Sequence, residues 1–281
     1  MAPVLPARPT FGDFWRALGA QIDALDGTAL EPELAAFGER HAVDPDAPGL
    51  RQEFRRLWAA FEATRDGGWW KLRWQITDQE PTSLQIWKAW RRTPPRVGFG
   101  EASAVAECDE ITALFSVTAR RLDVRGVGLF YPTWNHVIAG WMPDAFAGTK
   151  RVVLVPTTQI FQECESTFDQ TSFRVPKQVY EFPRYDVRDS TELSPELAGF
   201  LLDQVRAYGE AAPALLALIR TKRAELMRSS ITDCGSYRQK LVEHLRRGPL
   251  SCGDRRALRQ VAAELGGDAT TETVLSFLAS P

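Results

Sequence analysis

Two residues of this 281-residue chain have the types and the order that nucleophilic acyl chemistry needs, Cys108 and, downstream of it, His136. Cys108 falls in the first turn of a predicted helix over 108–122. The apolar positions Ile111, Phe115, Thr118 and Leu122 recur there at helical spacing and share their face with position 108. An inward-facing thiol at a helix start meets free backbone N–H groups and the positive end of the macrodipole. Both favour a thiolate, and the same donors can hold an oxyanion. Glu107, Asp109 and Glu110 flank the thiol and oppose this by repulsion, although acids also suit a first helical turn for its own sake. Taken alone, Cys108 reads first as a small buried hydrophobe, since free cysteine is among the most buried residue types.

His136 lies in NHVIAGWM, which the spacing predicts as a strand carrying His136, Ile138, Gly140 and Met142 on one face. The run RVVLVPTTQ follows after a loop near PDAFAGTK, so an antiparallel hairpin is the economical pairing. A loop centred between Phe146 and Ala147 sets Thr157 opposite His136 and puts Val155, Thr157 and Gln159 on the histidine's face. A histidine on an apolar strand can also be a satisfied core residue.

The elements around these residues are helical on both sides. Thr10 with Asp13 forms a capping-box pattern, and Phe11, Phe14, Trp15, Leu18, Ile22 and Leu25 follow at helical spacing. Leu50, Phe54, Leu57, Trp58 and Phe61 make a second stripe, with a weaker helix near 30–40 between them and another over about 82–92. WWKLRWQI, residues 69–76, alternates Trp70, Leu72, Trp74 and Ile76 against polar neighbours and reads as a strand. TPPRVGFGEAS is a connection. Beyond Asp189 the helical pattern returns, opened by Ser194-Pro195 as N-cap and N1 and continued by short helices near 236–247, 254–265 and 270–279. The division expected is a mainly helical region 1–94, an α+β core 95–190 and a helical region 191–281.

ECDEITALFSVTARRLDVRGVGLFY resembles the cysteine core of the transglutaminase-like (papain-like) superfamily: a cysteine opens a helix with an apolar middle, and a short glycine-containing turn leads into a strand. NHVIAGW resembles that family's histidine strand, and RVVLVPTTQ its next strand, which usually ends in Asp-Pro-Thr. The likeness covers about 50 residues, Cys108 to Gln159, and leaves both helical flanks outside it. It implies a nucleophile helix packed on an antiparallel sheet. Cys108 would form an acyl-enzyme, with His136 as base and then acid, in a cysteine-dependent amide hydrolase or acyltransferase acting on protein or peptide substrates. Val155 stands where the family has its Asp, and valine cannot orient an imidazole. A side-chain amide can, so Gln159 is the preferred substitute, Thr157 the second and Asp144 the third. Trp134 and Asn135, just before the histidine, are candidates to shape the acyl-acceptor groove, although core or rim packing explains Trp134 more simply. The alternative is a catalytically degraded core serving as a protein-binding scaffold or adaptor.

Composition narrows the remaining classes. Lys and Arg number 34 against 36 Asp and Glu, so no basic field draws nucleic acid or an anionic membrane, and no nucleic-acid partner is expected. The tryptophans Trp69, Trp70, Trp74, Trp87 and Trp90 beside Arg91, Arg92 and Arg96 have the composition of a stacking platform, but a tryptophan-rich core explains them more simply. Cys108, Cys164, Cys234 and Cys252 form no ligand-spaced pair, so neither a metal nor a cofactor is expected. The start MAPVLPARPT lacks a signal-peptide pattern, and no apolar run approaches a membrane span, which points to a cytoplasmic protein with reduced thiols. The tail from 191 reads as a docking module for a protein partner or, equally, as ordinary packing, because Leu215, Leu216, Leu218 and Ile219 must be buried somewhere.

Overall fold

The structure is a computed structural model and describes residues 5–25, 27, 30–77, 82–93, 95, 102–133, 136–146, 152–155, 157, 187–207 and 209. It is a mixed helix and strand fold with small sheets. In chain order come α1 (Phe11–Ala24), α2 (Glu31–His41), α3 (Leu50–Thr64), β1 (Leu72–Trp74), α4 (Leu84–Arg92), β2 (Ala104–Ala106) and α5 (Cys108–Arg121). Then follow β3 (Val127–Thr133), β4 (His136–Trp141), a single 3-10 turn over Asp144–Phe146 and β5 (Val153–Val155), with a further helix over 195–207.

Local chemistry explains the helix starts. Thr10 accepts from the Asp13 N–H at 3.2 Å while Asp13 Oδ2 accepts from the Thr10 N–H at 2.9 Å, a reciprocal cap that fixes where α1 begins. Ser194 caps the helix over 195–207 by accepting from the Leu197 N–H at 3.1 Å. The start of α5 carries the same device in acidic form, Glu107 and Glu110 each accepting from the other's backbone N–H.

Helix α5 is the centre of the molecule. It is buried on nearly every side from Glu110 to Ala119, lying between α3 and the sheet formed by β3 and β4. The three-stranded antiparallel sheet has the order β3-β4-β5. A parallel pair, β1 with β2, stands apart and runs directly into the start of α5. Gly126 admits the close approach at the mouth of the β3–β4 hairpin: its φ is +66°, and a Cβ there would come within 2.2 Å of the Met142 carbonyl oxygen.

One core runs through all three sequence regions. Phe11, Phe14, Leu57, Trp70 and Trp87 share it with Leu114, Trp141 and Val155 and with Leu197, Leu201 and Val205. Trp70 Nε1 donates to the Leu201 carbonyl at 3.1 Å, and Gln21 Nε2 to the Leu202 carbonyl at 2.8 Å. The expected division at 94 does not separate two cores, since β1 and β2 lie on either side of it and pair. The described start of the third region, 191–207, packs on the first. The helices expected near 236–247, 254–265 and 270–279 lie outside the described residues.

Two expectations are corrected. The strand at 69–76 shortens to Leu72–Trp74, and its supposed inward face splits: Trp70 is fully buried, whereas Trp74 and Ile76 are 45% and 64% exposed. Trp70 and Leu72 are both fully buried on either side of Lys71, whose φ is +56°, and the change of face comes after Leu72, where the short β1–β2 pair leaves Trp74 exposed. Trp69, Trp70, Trp87 and Trp90 are core residues, so they offer no stacking platform. The hairpin of β4 and β5 is antiparallel as expected, but its register is one residue away: Ala139 faces Val155, Gly140 faces Leu154 and Trp141 faces Val153. Extending it sets position 157 opposite 137, not 136. A one-residue shift exchanges the faces of a strand, so Val155 and Thr157 align with Val137, Ala139 and Trp141.

Candidate functional site

Cys108 is the first residue of α5, and β2 delivers it there through Ala106 and Glu107. It is half-buried and packs against a small cluster of Ala113, Leu129 and Val137, which is the seam between α5 and the β3–β4 sheet. The backbone N–H groups of Val137 on β4 and of Asp109 in the helix's own first turn act on the thiol to favour its ionised form. The residue therefore sits where a strand edge and a helix start converge, as the sequence position at a helix N-terminus implies.

Electrostatics at the seam oppose ready ionisation. Burial pushes the Cys108 thiol above its ordinary value, and the carboxylates of Asp109 and Glu107 add to that; the N–H groups of Val137 and Asp109 offset it only in part. Asp109 is pushed up to about 6, first by burial and then by Glu107, against the Glu110 N–H that its Oδ1 accepts at 2.8 Å. Glu110, 1% exposed, is also raised by burial, although its Oε2 accepts from the Glu107 N–H at 3.0 Å and from the Thr77 hydroxyl at 2.7 Å. Glu107 Oε2 accepts from the Thr77 N–H at 3.0 Å. Thr77 thus ties the chain beyond β1 to the start of α5. A thiol in this setting is neutral near pH 7, so its use as a nucleophile requires a base that takes the proton during attack.

His136 is the first residue of β4 and pairs with Thr133, after an irregularity in β3 between Phe130 and Thr133. Its backbone is next to Val137, whose N–H acts on the thiol; the His136 side chain, Trp134, Asn135 and Gln159 lie outside the described residues. Thr157 is fully buried, and its hydroxyl pairs with that of Thr112 at 2.6 Å. Asp144 is exposed in the 3-10 turn and pairs with Arg125 at 3.7 Å. Val155 is fully buried in the main core, where it orients nothing. The structure thus brings Cys108, Thr112, Val137 and Thr157 together along one side of α5. Thr112 escaped the sequence reading, although its spacing of four from Cys108 was the available signal, since i and i+4 share a helix face.

No group of three or more His, Cys, Asp or Glu among the described residues is arranged to hold a metal. A cleft of about 520 Å³ opens at the far end of α5, lined by residues that include Trp15, Arg56, Arg121 and Asp189. Its guanidinium groups are engaged internally, Arg56 with Asp23 at 2.8 Å and Arg121 with Asp189 at 2.8 Å. That cleft offers ion pairs and no nucleophile. No helix among the described residues is long and apolar enough to cross a membrane. No protein-family model matches this chain, and no curated protein or solved structure matches it.

Proposed function

We propose that the protein is a cysteine-dependent amide hydrolase or acyltransferase acting on protein or peptide substrates, with Cys108 as nucleophile and His136 as base and acid, built on a transglutaminase-like core. The observation that carries this reading is the convergence at Cys108: a half-buried thiol at the first residue of the central helix packs against Val137, the residue that follows His136 on the adjacent strand. In the reaction Sγ attacks the carboxamide carbon as the proton passes to the imidazole. The tetrahedral intermediate collapses to a thioester as the leaving amine takes that proton, and water or an amine then accepts the acyl group. Because the thiol is raised by burial and by Asp109 and Glu107, the base acts during attack and not by forming a standing thiolate. Gln159 would orient the ring, Trp134 and Asn135 would line the acceptor side, and the helices from 191 would dock a protein partner. The setting is the cytoplasm, where thiols stay reduced.

A second reading, a transglutaminase-like scaffold without catalysis, draws on two observations: the thiol is raised, and Val155 is a core residue at the place where the family has an acid. Thiol labelling separates the two. Alkylation near pH 8 followed by peptide mapping should modify Cys108 ahead of Cys164, Cys234 and Cys252, and a peptide thioester probe should transfer its acyl group to Cys108. Cys108→Ala should remove all turnover from a peptide-library screen. Labelling of the other three cysteines with Cys108 untouched, together with no acyl transfer, establishes the scaffold.

A further inference from the structure

We propose that Thr112 and Thr157 are positioning residues, a buried hydroxyl pair that sets the Val137 peptide against α5 so that its N–H meets the Cys108 sulfur. The inference deepens the reading of Cys108 as a nucleophile and rests on it for its functional meaning. Its geometry stands on the residues alone.

Strand β5 ends at Val155, and the register that pairs Ala139 with Val155 would next pair Val137 with Thr157. The ladder does not continue in that way. The Thr157 carbonyl instead accepts from the Asp66 N–H at 3.2 Å, and the Val137 carbonyl accepts from Thr112 Oγ1 at 3.4 Å. The Val137 backbone is therefore seated on α5 at two places one helical turn apart, its carbonyl hydrogen-bonded by Thr112 and the residue packed against Cys108. The Thr112 hydroxyl is shared: at 2.6 Å it pairs with the Thr157 hydroxyl, and both threonines are fully buried. Buried hydroxyls without partners are costly, so each fixes the other's rotamer. Thr157 is anchored in turn through Asp66, whose Oδ1 accepts from the Trp74 N–H at 2.8 Å, which ties the pair to β1. The chain of contacts runs from β1 through Asp66, Thr157 and Thr112 to the Val137 peptide and the thiol. The sequence position that suggested Thr157 as a ring-orienting residue thus gains a different role, at the backbone and not at the imidazole.

The test is the pH profile of Cys108 alkylation by iodoacetamide, followed by peptide mapping in the full-length chain, for the wild type, Thr112→Val, Thr112→Ser, Thr157→Val, Thr157→Ser and the Thr112→Val/Thr157→Val double variant. Loss of one N–H donor to the sulfur should move the profile of either valine variant upward, lowering the alkylation rate at pH 8 by roughly 3- to 10-fold. Thr157→Ser should restore the wild-type profile, and the double variant should match the single ones, because the two hydroxyls act as one unit. A wild-type profile in folded Thr112→Val and Thr157→Val overturns the proposal, as does a shift that Thr157→Ser fails to repair. If a valine variant does not fold, the serine variants at both positions decide: they keep the hydroxyl pair and must keep the profile. The alkylation profile needs no substrate, so absent acyl transfer by the wild type removes the enzymatic reading while leaving this positioning tested by itself.

Discussion

The two sides of α5 are built on opposite principles. Toward α1, α3 and α4 it presents Ile111, Leu114 and Phe115 to an aromatic layer in which Phe11 meets Trp87 edge-on at 4.9 Å, Trp87 meets Trp90 at 5.0 Å and Trp70 meets Trp90 at 6.1 Å. Toward the sheet it presents Cys108, packed against Val137, and Thr112, whose hydroxyl meets Thr157 and the Val137 carbonyl. The aromatic layer gains its stability from area and edge-to-face geometry, which tolerate small displacements. The seam gains little from area but depends on hydrogen bonds that fail with a shift of a few tenths of an ångström. A molecule that holds one face of a helix with bulk can place the other face accurately, and the candidate thiol lies on the accurate face.

The largest effect that would test this contrast is in the aromatic layer. Trp70→Ala removes a fully buried indole together with its bond to the Leu201 carbonyl, and should destabilise the fold by about 3–5 kcal/mol in denaturant melts. A loss below about 1 kcal/mol would mean that the layer does not hold the helix over 195–207 to the first region.

The next comparison sets two fully buried threonines of α5 against each other. Thr112 has hydroxyl partners, whereas Thr118 Oγ1 has none among the described residues. Thr112→Val should lose about 1–3 kcal/mol by orphaning the Thr157 hydroxyl, and Thr118→Val should be neutral or gain up to about 1 kcal/mol by removing an unmet polar group. Equal effects in urea melts of the two variants would erase the distinction between a partnered seam and a packed one. Ser116, buried with an Oγ that has no partner among the described residues, extends the series: Ser116→Ala should change stability by less than about 0.5 kcal/mol.

The smallest effect concerns the acids at the start of the seam. Asp109 is raised to about 6 in the folded chain, above its ordinary value of 3.8, so the fold favours its protonated form. The stability linked to this group is therefore complete below about pH 4 and is lost as pH rises through about 6. Asp109→Asn keeps an oxygen to accept the Glu110 N–H and removes the charge. Its Tm should match the wild type at pH 4 and exceed it by a few degrees at pH 7.5, a modest figure because half the group's environment is solvent. A difference that stays constant across that range would assign the raised value to something other than ionisation. The same variant removes one of the two carboxylates that push up the thiol, so Cys108 alkylation at pH 8 should quicken.

What the sequence determined by itself is local. Thr10 with Asp13 and Ser194 with Pro195 announce helix starts because a cap is made within four residues, and the stripes of α1, α3 and α5 follow from a period that needs no distant partner. The placing of Cys108 at a helix start and of His136 at the head of a strand is of the same kind. Only the tertiary structure decided which tryptophans are core, because Trp70 and Trp74 share one face of an alternating pattern, yet Trp70 is buried while Trp74 is left exposed on the separate β1–β2 pair. It also decided the β4–β5 register. Between a pairing of Ala139 with Leu154 and one with Val155 both strands keep their local preferences, yet the faces exchange and Thr157 moves from the histidine position to that of Val137. The Thr112–Thr157 bond joins residues 45 apart in sequence, and contacts at that separation are fixed by how α5 seats on the sheet, a choice that burial of the whole core makes and no short window of residues contains.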